Sequence, residues 1–403
     1  MELFWLEHKK LWRKKIVKIC VLLCFVYCVI FGSILSFQWF CFGSSDDYTS
    51  AFGNNFDGYT VIKDSQEYAL SFGGELTDET LQKIVSDYQQ MEADGMEEEL
   101  EKTDWQIVNS WLGTLYPELR DTSNYKTMIS YVDPDKLTGF YERRQQVLDE
   151  FLEVSGQVGA EKEFLHQIER KVEKPFRYEW VEGWSTLLGS MVADLGVVMA
   201  LFLGIVLSSL FAGEWHDNTS TLVLTTRNGW GKIALAKILT GLAFTVELFA
   251  LLAVSSVISQ LFFMGTAGWD MPIQNIKLIA VAPMNMLQAE IYEYAFVLLG
   301  AIGFAGIVMF ISAAVKNNVL TLLLSLAVVY GPMMIAEYLP YGMQKALDLI
   351  PLVGSSTDIF RTNTFRIFGK LIWSPYLLIT IPVLIGILCM PFAIKSWSRR
   401  MKA

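Results

Sequence analysis

The chain has 403 residues, of which 53% are apolar, a share that is high for a soluble globular protein. Its formal net charge of −10 hides an asymmetry, because residues 42–186 hold 30 acidic and 13 basic side chains and the remainder is net basic. The apolar share excludes an ordinary soluble fold for the whole chain, and the negative net charge disfavours nucleic acid as a partner.

Six apolar segments are long enough to cross a bilayer, since about 20 helical residues span about 30 Å of hydrocarbon. We therefore predict an all-α polytopic membrane protein with six transmembrane helices. An N-terminal interfacial helix precedes the first span, and a mainly helical extracellular domain follows it. The predicted spans cover residues 16–41, 187–211, 233–263, 291–315, 319–339 and 373–394.

The positions of Lys and Arg set the expected orientation, because cytoplasmic loops are enriched in these residues. Cations precede the first span, occur between the second and third, and recur in the tail 395–403. We expect a multi-pass protein of the plasma membrane with both termini in the cytoplasm. The segments 264–290 and 340–372 are then extracellular, and the second is expected to re-enter the outer leaflet because it is apolar and marked by prolines. Four cations in that second segment run against the rule: Lys345, Arg361, Arg366 and Lys370.

Residues 1–15 combine large apolar side chains with five Lys and Arg residues, a pattern typical of an amphipathic helix in the headgroup layer. The alternative is that they form only the positive flank of the first span. Cys20, Cys24 and Cys28 share one face of that span. We interpret them as packing residues, because a free cysteine behaves as a small hydrophobe and no His or acid accompanies them.

Residues 42–186 form the expected extracellular domain, which contains no cysteine and must fold without disulfides. Asp133-Pro134 predicts a helix start, and Ser155-Gly156 predicts a break in the apolar helical spacing that follows. The acidic runs of this domain are typical of a solvated face. A surface that binds a cation or a cationic peptide is the alternative.

Motifs that would give the chain chemistry of its own are missing from the sequence. It contains no G-x-x-x-x-G-K-[S/T] phosphate loop, no H-E-x-x-H zinc motif and no G-x-S-x-G nucleophile motif. We therefore expect no catalytic site, no metal and no cofactor in this chain.

The polar loop 212–232 between the second and third spans carries the most specific pattern. An acid follows the second span, a Thr-rich stretch leads to a basic turn with glycine, and lysines enter the third span. The residues of this pattern are Glu214, Thr225, Thr226, Arg227, Gly229, Lys232 and Lys237. The loop resembles that of type-2 ABC transporter permeases, although Trp230 stands where those proteins usually have Arg. The segment PFRYEWVEGW at 175–184 and the six-span layout resemble Gram-positive members with a large extracellular domain between the first two spans.

The resemblance implies that the loop contains a coupling helix, which docks on a separate ABC ATP-binding subunit at the cytoplasmic side. That partner would bind ATP and Mg²⁺. The resemblance also implies a second permease subunit, identical or paralogous, and ATP-driven export. We expect an amphipathic or antimicrobial peptide, or a drug-like molecule, as cargo, because the outer domain is acidic and the membrane path is apolar. The alternative for the loop is an ordinary solvated turn.

Two acids within the predicted spans, Asp194 and Glu247, need an explanation because ionisable groups are costly in lipid. Each is a candidate for the translocation path, or a structural group paired with a polar neighbour. Gly300, Gly303 and Gly306 lie three residues apart in the fourth span, a spacing that favours close helix packing or dimerisation.

Two other functions are kept as alternatives to the exporter. A membrane-embedded sensor or scaffold would bind a ligand with its extracellular domain and recruit a signalling partner with the inner loop. An intramembrane hydrolase would use Asp194 and Glu247 as catalytic carboxylates, which requires that these two side chains lie close together.

Overall fold

The computed structural model describes residues 2–27, 29, 66–67, 74–96, 105–121, 126–216, 231–354 and 363–399. Within these ranges the chain is mostly helical, and five helices are long and apolar enough to cross a membrane. The prediction of a helical polytopic protein is confirmed at this level. Half of the predicted first span, residue 28 and residues 30–41, lies outside the described residues, so the count of six spans and the interfacial position of the N-terminal helix stay predictions.

The N-terminus forms two helices: α1, Glu2–Arg13, and α2, Lys15–Val26. They are separated at Lys14, whose backbone is extended, with φ −65° and ψ 127°. α2 directs Cys20 and Cys24 into the apolar core that it shares with the later helices, where both thiols are buried. This confirms the packing interpretation for these two cysteines, whereas Cys28 lies outside the described residues.

The described part of the outer domain contains four α-helices and one antiparallel strand pair. Its apolar core includes Trp111 and Tyr178, whose ring centroids lie 5.5 Å apart in an edge-on contact. The elements are β1, Gly74–Glu75; α3, Asp78–Ala93; α4, Trp105–Leu115; α5, Phe140–Val154; α6, Ala160–Glu169; and β2, Arg177–Tyr178.

The helix predicted to start at Asp133 begins later, at Phe140. Asp133 caps only a 3-10 turn, Pro134–Lys136. The α-helix starts after Gly139, whose left-handed φ of 71° redirects the chain. There the carboxylate of Asp78 accepts hydrogen bonds from the backbone N–H groups of Gly139 and Phe140, at 2.7 and 2.9 Å. Asp78, an acid from another helix, thus caps the start of α5, whereas the local sequence pattern predicted that start at Asp133.

The second part of the fold is a bundle of long apolar helices, which overlap the predicted second to sixth spans. A short helix, α7, passes through a π-helical turn into the first of them. In chain order the elements are α7, Glu182–Thr186; α8, Val192–His216; α9, Lys232–Met264; α10, Met286–Val315; α11, Asn318–Ala336; α12, Tyr341–Leu347; β3, Thr364–Ile367; β4, Lys370–Trp373; and α13, Ser374–Arg399.

α10 packs against α13 through glycines. A Cβ atom added at Gly303 would collide with the backbone of Pro382, and one added at Gly306 would collide with the backbone of Gly386. The two helix backbones therefore touch directly, as small residues in apolar helices permit. The packing interpretation is confirmed for these two glycines, and the contact lies within a single chain.

The segment after α12 folds back between α10 and α13. Leu352 has a left-handed φ of 61° and packs on Gly300, while the Pro351 ring lies beside Gly303. Because Gly303 lies well inside α10, this part of the predicted re-entrant segment 340–372 lies alongside the apolar helices. Its entry into a lipid leaflet stays a prediction.

A buried arginine joins the outer domain to the segment before α10. Arg144 donates to the backbone carbonyls of Leu278 and Ala280, at 2.7 and 3.1 Å, and to Glu169 at 2.6 Å. Lys174 pairs with the same carboxylate at 2.7 Å. Burial raises the pKa of the Glu169 carboxyl, but hydrogen bonds from Lys174 and Arg144 outweigh burial and hold that pKa below its ordinary value.

A second attachment joins the outer domain to the β3–β4 hairpin. The Thr364 hydroxyl donates to the Gln157 side chain at 2.6 Å, and Arg366 pairs with Glu161 at 2.6 Å. The hairpin runs directly into α13. The outer domain is therefore fixed to the segments that enter both α10 and α13.

The glycine contact predicts a matched pair of variants. We expect Gly306→Ala to lower the free energy of unfolding by about 1–3 kcal/mol, because the added methyl group overpacks a backbone contact. Gly331→Ala in α11 is the control, since no atom lies within 4 Å of its Cβ position. Unfolding in detergent micelles measures both. Equal stability of the two variants would contradict the described packing.

The buried carboxylate predicts a pH dependence. Because the folded-state pKa of Glu169 is depressed, its stabilisation is present above the unfolded pKa of about 4.3 and is lost as the pH falls through the folded value. We expect Glu169→Gln to lower stability at neutral pH by about 3 kcal/mol and to flatten the acid dependence.

Thermal unfolding of the full chain at a series of pH values measures this effect. Glu163→Gln is the control, because Glu163 lies on the same helix and is exposed. If Glu169→Gln and the unsubstituted chain lose stability in parallel on acidification, the assigned role of the carboxylate is wrong.

Candidate functional site

Charged residues from three helices meet where α8 ends and α9 begins, at the two ends of the predicted coupling loop. Lys237 donates from its Nζ atom to Glu214 Oε1 and to Glu7 Oε2, both at 2.8 Å. Lys10 of α1 donates to the same Glu214 oxygen at 2.6 Å. We call Glu7, Lys10, Glu214 and Lys237 the loop-end ion cluster.

The centre of the loop-end ion cluster is buried. Glu214 is 4% exposed and Lys237 is 1% exposed. Removing an ion from water costs on the order of several kcal/mol, and only close, hydrogen-bonded opposite charges offset that cost. Two carboxylates and two ammonium groups balance each other here. The cluster therefore holds α1, α8 and α9 in one specific arrangement.

The helical spacing of α1 explains how it reaches both neighbours. Glu7 and Leu11 lie four residues apart on one face of α1, with Leu11 buried. Lys14, just after α1, donates to Ser209 of α8 at 2.9 Å. Trp12 lies on the adjoining face, and its ring contacts the Phe244 ring of α9 with centroids 5.7 Å apart. α1 thus follows the first half of α9 and covers its junction with α8.

Glu247 extends this contact along α9. Its carboxylate accepts a hydrogen bond from Trp12 Nε1 at 3.0 Å and lies 3.2 Å from His8 Nε2. The Glu247 side chain is 42% exposed. These are the polar neighbours that the structural alternative requires, and a position of Glu247 on a translocation path stays a prediction.

Asp194 is far from this site. It is exposed in the first turn of α8, and no residue in the described ranges makes a hydrogen bond or ion pair with it. α8 and α9 run antiparallel from the Glu214–Lys237 contact, so Asp194 and Glu247 lie about 15 Å apart along the helix axes at 1.5 Å per residue. This separation argues against the intramembrane hydrolase, which needs both carboxylates in one site.

The remaining residues of the coupling pattern divide into two groups. Lys232 is exposed on the first turn of α9. The residues that lie outside the described ranges are Thr225, Thr226, Arg227 and Gly229. Contact of these residues with an ATP-binding partner stays a prediction. Contact of Glu214 and Lys237 with that partner also stays a prediction, because their charged atoms pair with other residues of this chain.

Two further sets of charged residues were not found from the sequence. Glu7 and Lys10 pair with residues more than 200 positions away, so no local pattern reveals their partners. Glu290 and Glu293 lie in the first turns of α10 and are both buried. Their three-residue spacing puts them on one helix face and is the signal that could have found them.

A comparison of the chain with protein-family models, with curated proteins and with solved structures found no match. The resemblance to type-2 ABC permeases therefore stays an expectation that depends on the residues quoted above.

The loop-end ion cluster predicts a large loss of stability when its central cation is removed. We expect Lys237→Met to lower the free energy of unfolding by about 3 kcal/mol, because Glu7 and Glu214 each lose a cation that pairs with them. Lys232→Met is the matched control on the same helix. The double variant Glu214→Gln/Lys237→Met should lose less than the sum of the single changes. Additive, small losses would mean that the cluster does not fix the helices.

Proposed function

We propose that the chain is the transmembrane permease subunit of an ATP-driven ABC exporter. An ABC ATP-binding subunit would dock on the loop 212–232, and a second permease subunit would complete the transport path. ATP and Mg²⁺ would be bound by the ATP-binding partner, and the permease itself would hydrolyse nothing. The cargo class we favour is an amphipathic or antimicrobial peptide, because residues 42–186 are strongly acidic.

The observation that carries this proposal is the loop-end ion cluster. A loop transmits a displacement only if its two ends are firmly joined to the helices that must move. Here Glu214 lies in the last turn of α8 and Lys237 in the second turn of α9, and their direct contact closes the base of the loop. α1 braces both through Glu7 and Lys10. A displacement of the loop would then move α8 and α9 as one body.

The sensor or scaffold is the second candidate, and a separate observation favours it. Arg144 of the outer domain is hydrogen-bonded to the carbonyls of Leu278 and Ala280, in the segment that leads into α10. A ligand bound outside would thus act on the helix bundle through a rigid contact. The two functions differ in their energy source, because only the exporter needs a nucleotide-hydrolysing partner.

The exporter proposal predicts that charge reversal in the loop uncouples the complex. The chain, purified from its host membranes, is expected to carry an ATP-binding cassette protein whose ATPase activity responds to cargo peptide. We expect Arg227→Glu to abolish that response or to weaken the association, because Arg227 lies in the loop and outside the loop-end ion cluster. Lys136→Glu is the matched charge reversal on the outer domain, where Lys136 is exposed.

Thermal unfolding of the isolated permease separates coupling from folding. Arg227→Glu should leave the unfolding temperature unchanged while ATPase coupling is lost. If the purified chain carries no ATP-binding protein and binds an extracellular ligand without nucleotide, the sensor is the better description. If coupling, assembly and export all survive Arg227→Glu, the loop does not dock on the partner as proposed.

A further inference from the structure

The hairpin formed by β3 and β4 ends in a fully exposed aromatic side chain. Ile367 pairs with Lys370, which leaves Phe368 and Gly369 as a two-residue turn. Phe368 is 102% exposed and has a left-handed φ of 48°. Two-residue turns of this kind favour Asn and Gly, and a bulky residue at positive φ is disfavoured. Phe368 therefore suits neither the turn nor an aqueous surface.

The hairpin is held where α13 begins. β4 ends at Trp373 and α13 starts at Ser374, so the tip lies about 13 Å of extended chain from a predicted span. Arg366 pairs with Glu161 on the outer domain, whereas the neighbouring Phe365 faces α12, with Lys345 Nζ 5.6 Å from its ring centroid. The hairpin therefore contacts both the outer domain and α12.

The charge of this hairpin is opposite to that of the outer domain above it. Residues 42–186 hold 30 acidic and 13 basic side chains, but the hairpin carries Arg366 and Lys370 and no acid. Lys370 is exposed and follows the turn directly. An apolar tip beside cations matches the headgroup layer of a membrane, where aromatic rings enter the acyl boundary and Lys or Arg pairs with phosphate.

We propose that the hairpin tip, residues 367–370, is a membrane-contact finger that binds anionic lipid headgroups beside α13. Phe368 inserts at the boundary between headgroups and acyl chains, and the Lys370 ammonium group pairs with lipid phosphate. This contact accounts for Lys370, one of the cations that run against the expected orientation of the chain, while Arg366 is already paired with Glu161. The proposal requires that α13 crosses a bilayer, and it is independent of ATP-driven transport.

The test places an environment-sensitive fluorophore at the hairpin tip of the full-length protein. Phe368→Cys is labelled with a thiol-reactive NBD probe and reconstituted in vesicles of phosphatidylcholine with or without phosphatidylglycerol. Val154→Cys is the control, because Val154 is 89% exposed on the outer domain. The unsubstituted chain measures labelling of the native cysteines, and thermal unfolding checks that each variant is folded.

We expect the probe at position 368 to emit at shorter wavelength and to be quenched by acyl-brominated lipids, most strongly in the anionic vesicles. The probe at position 154 should show water-like emission in both kinds of vesicle. Lys370→Glu should reduce the shift at the tip, and Lys136→Glu should leave it unchanged. Water-like emission at both positions would overturn the proposal. A shift that requires added cationic peptide, with no response to lipid, would assign the tip to cargo and would also overturn it.

Discussion

The buried ammonium group of Lys237 constrains the arrangement of three helices. It is 1% exposed, so the free energy lost on removing it from water must be offset by opposite charges, and Glu214 and Glu7 supply them from α8 and α1. These contacts bring the ends of α8 and α9 together and fix the N-terminal helix across them. The separation between the end of α8 and the start of α9 depends on this joint, because the two cannot move apart without exposing or unpairing the buried charges.

The helix bundle has a second kind of contact, the glycine contact between α10 and α13, which differs from the loop-end ion cluster. At Gly303 and Gly306 the backbones of α10 and α13 touch without intervening side chains, which leaves no room for relative movement. The loop-end ion cluster instead joins its helices through long, rotatable Lys and Glu side chains. We infer that α10 and α13 move as one unit, and that α8 and α9 stay together for as long as the buried charges stay paired.

The helices were predictable from the sequence because their signal is local: a long apolar run specifies a long apolar helix wherever it packs. The same holds for the packing of Cys20 and Cys24. The site was predictable only in part, because the partners of Glu214 and Lys237 lie on α1, at the far end of the chain. The prediction that α5 starts at Asp133 was wrong for the same reason, because Asp78, which caps the observed start, belongs to another helix.

α10 connects all parts of the described structure. Arg144 holds the segment before its first turn, glycines fix its middle to α13, and Ser312 near its other end donates to the Ser208 carbonyl of α8 at 2.7 Å. A movement of the loop-end ion cluster thus reaches the outer domain through α8 and α10, and a movement of the outer domain reaches the loop by the same route. Linkage between two sites is reciprocal in free energy, so this geometry serves an exporter driven from inside and a sensor driven from outside equally well. In the exporter that we propose, an ATP-binding partner acting on the loop would set the direction of work, whereas in the sensor an extracellular ligand would set it.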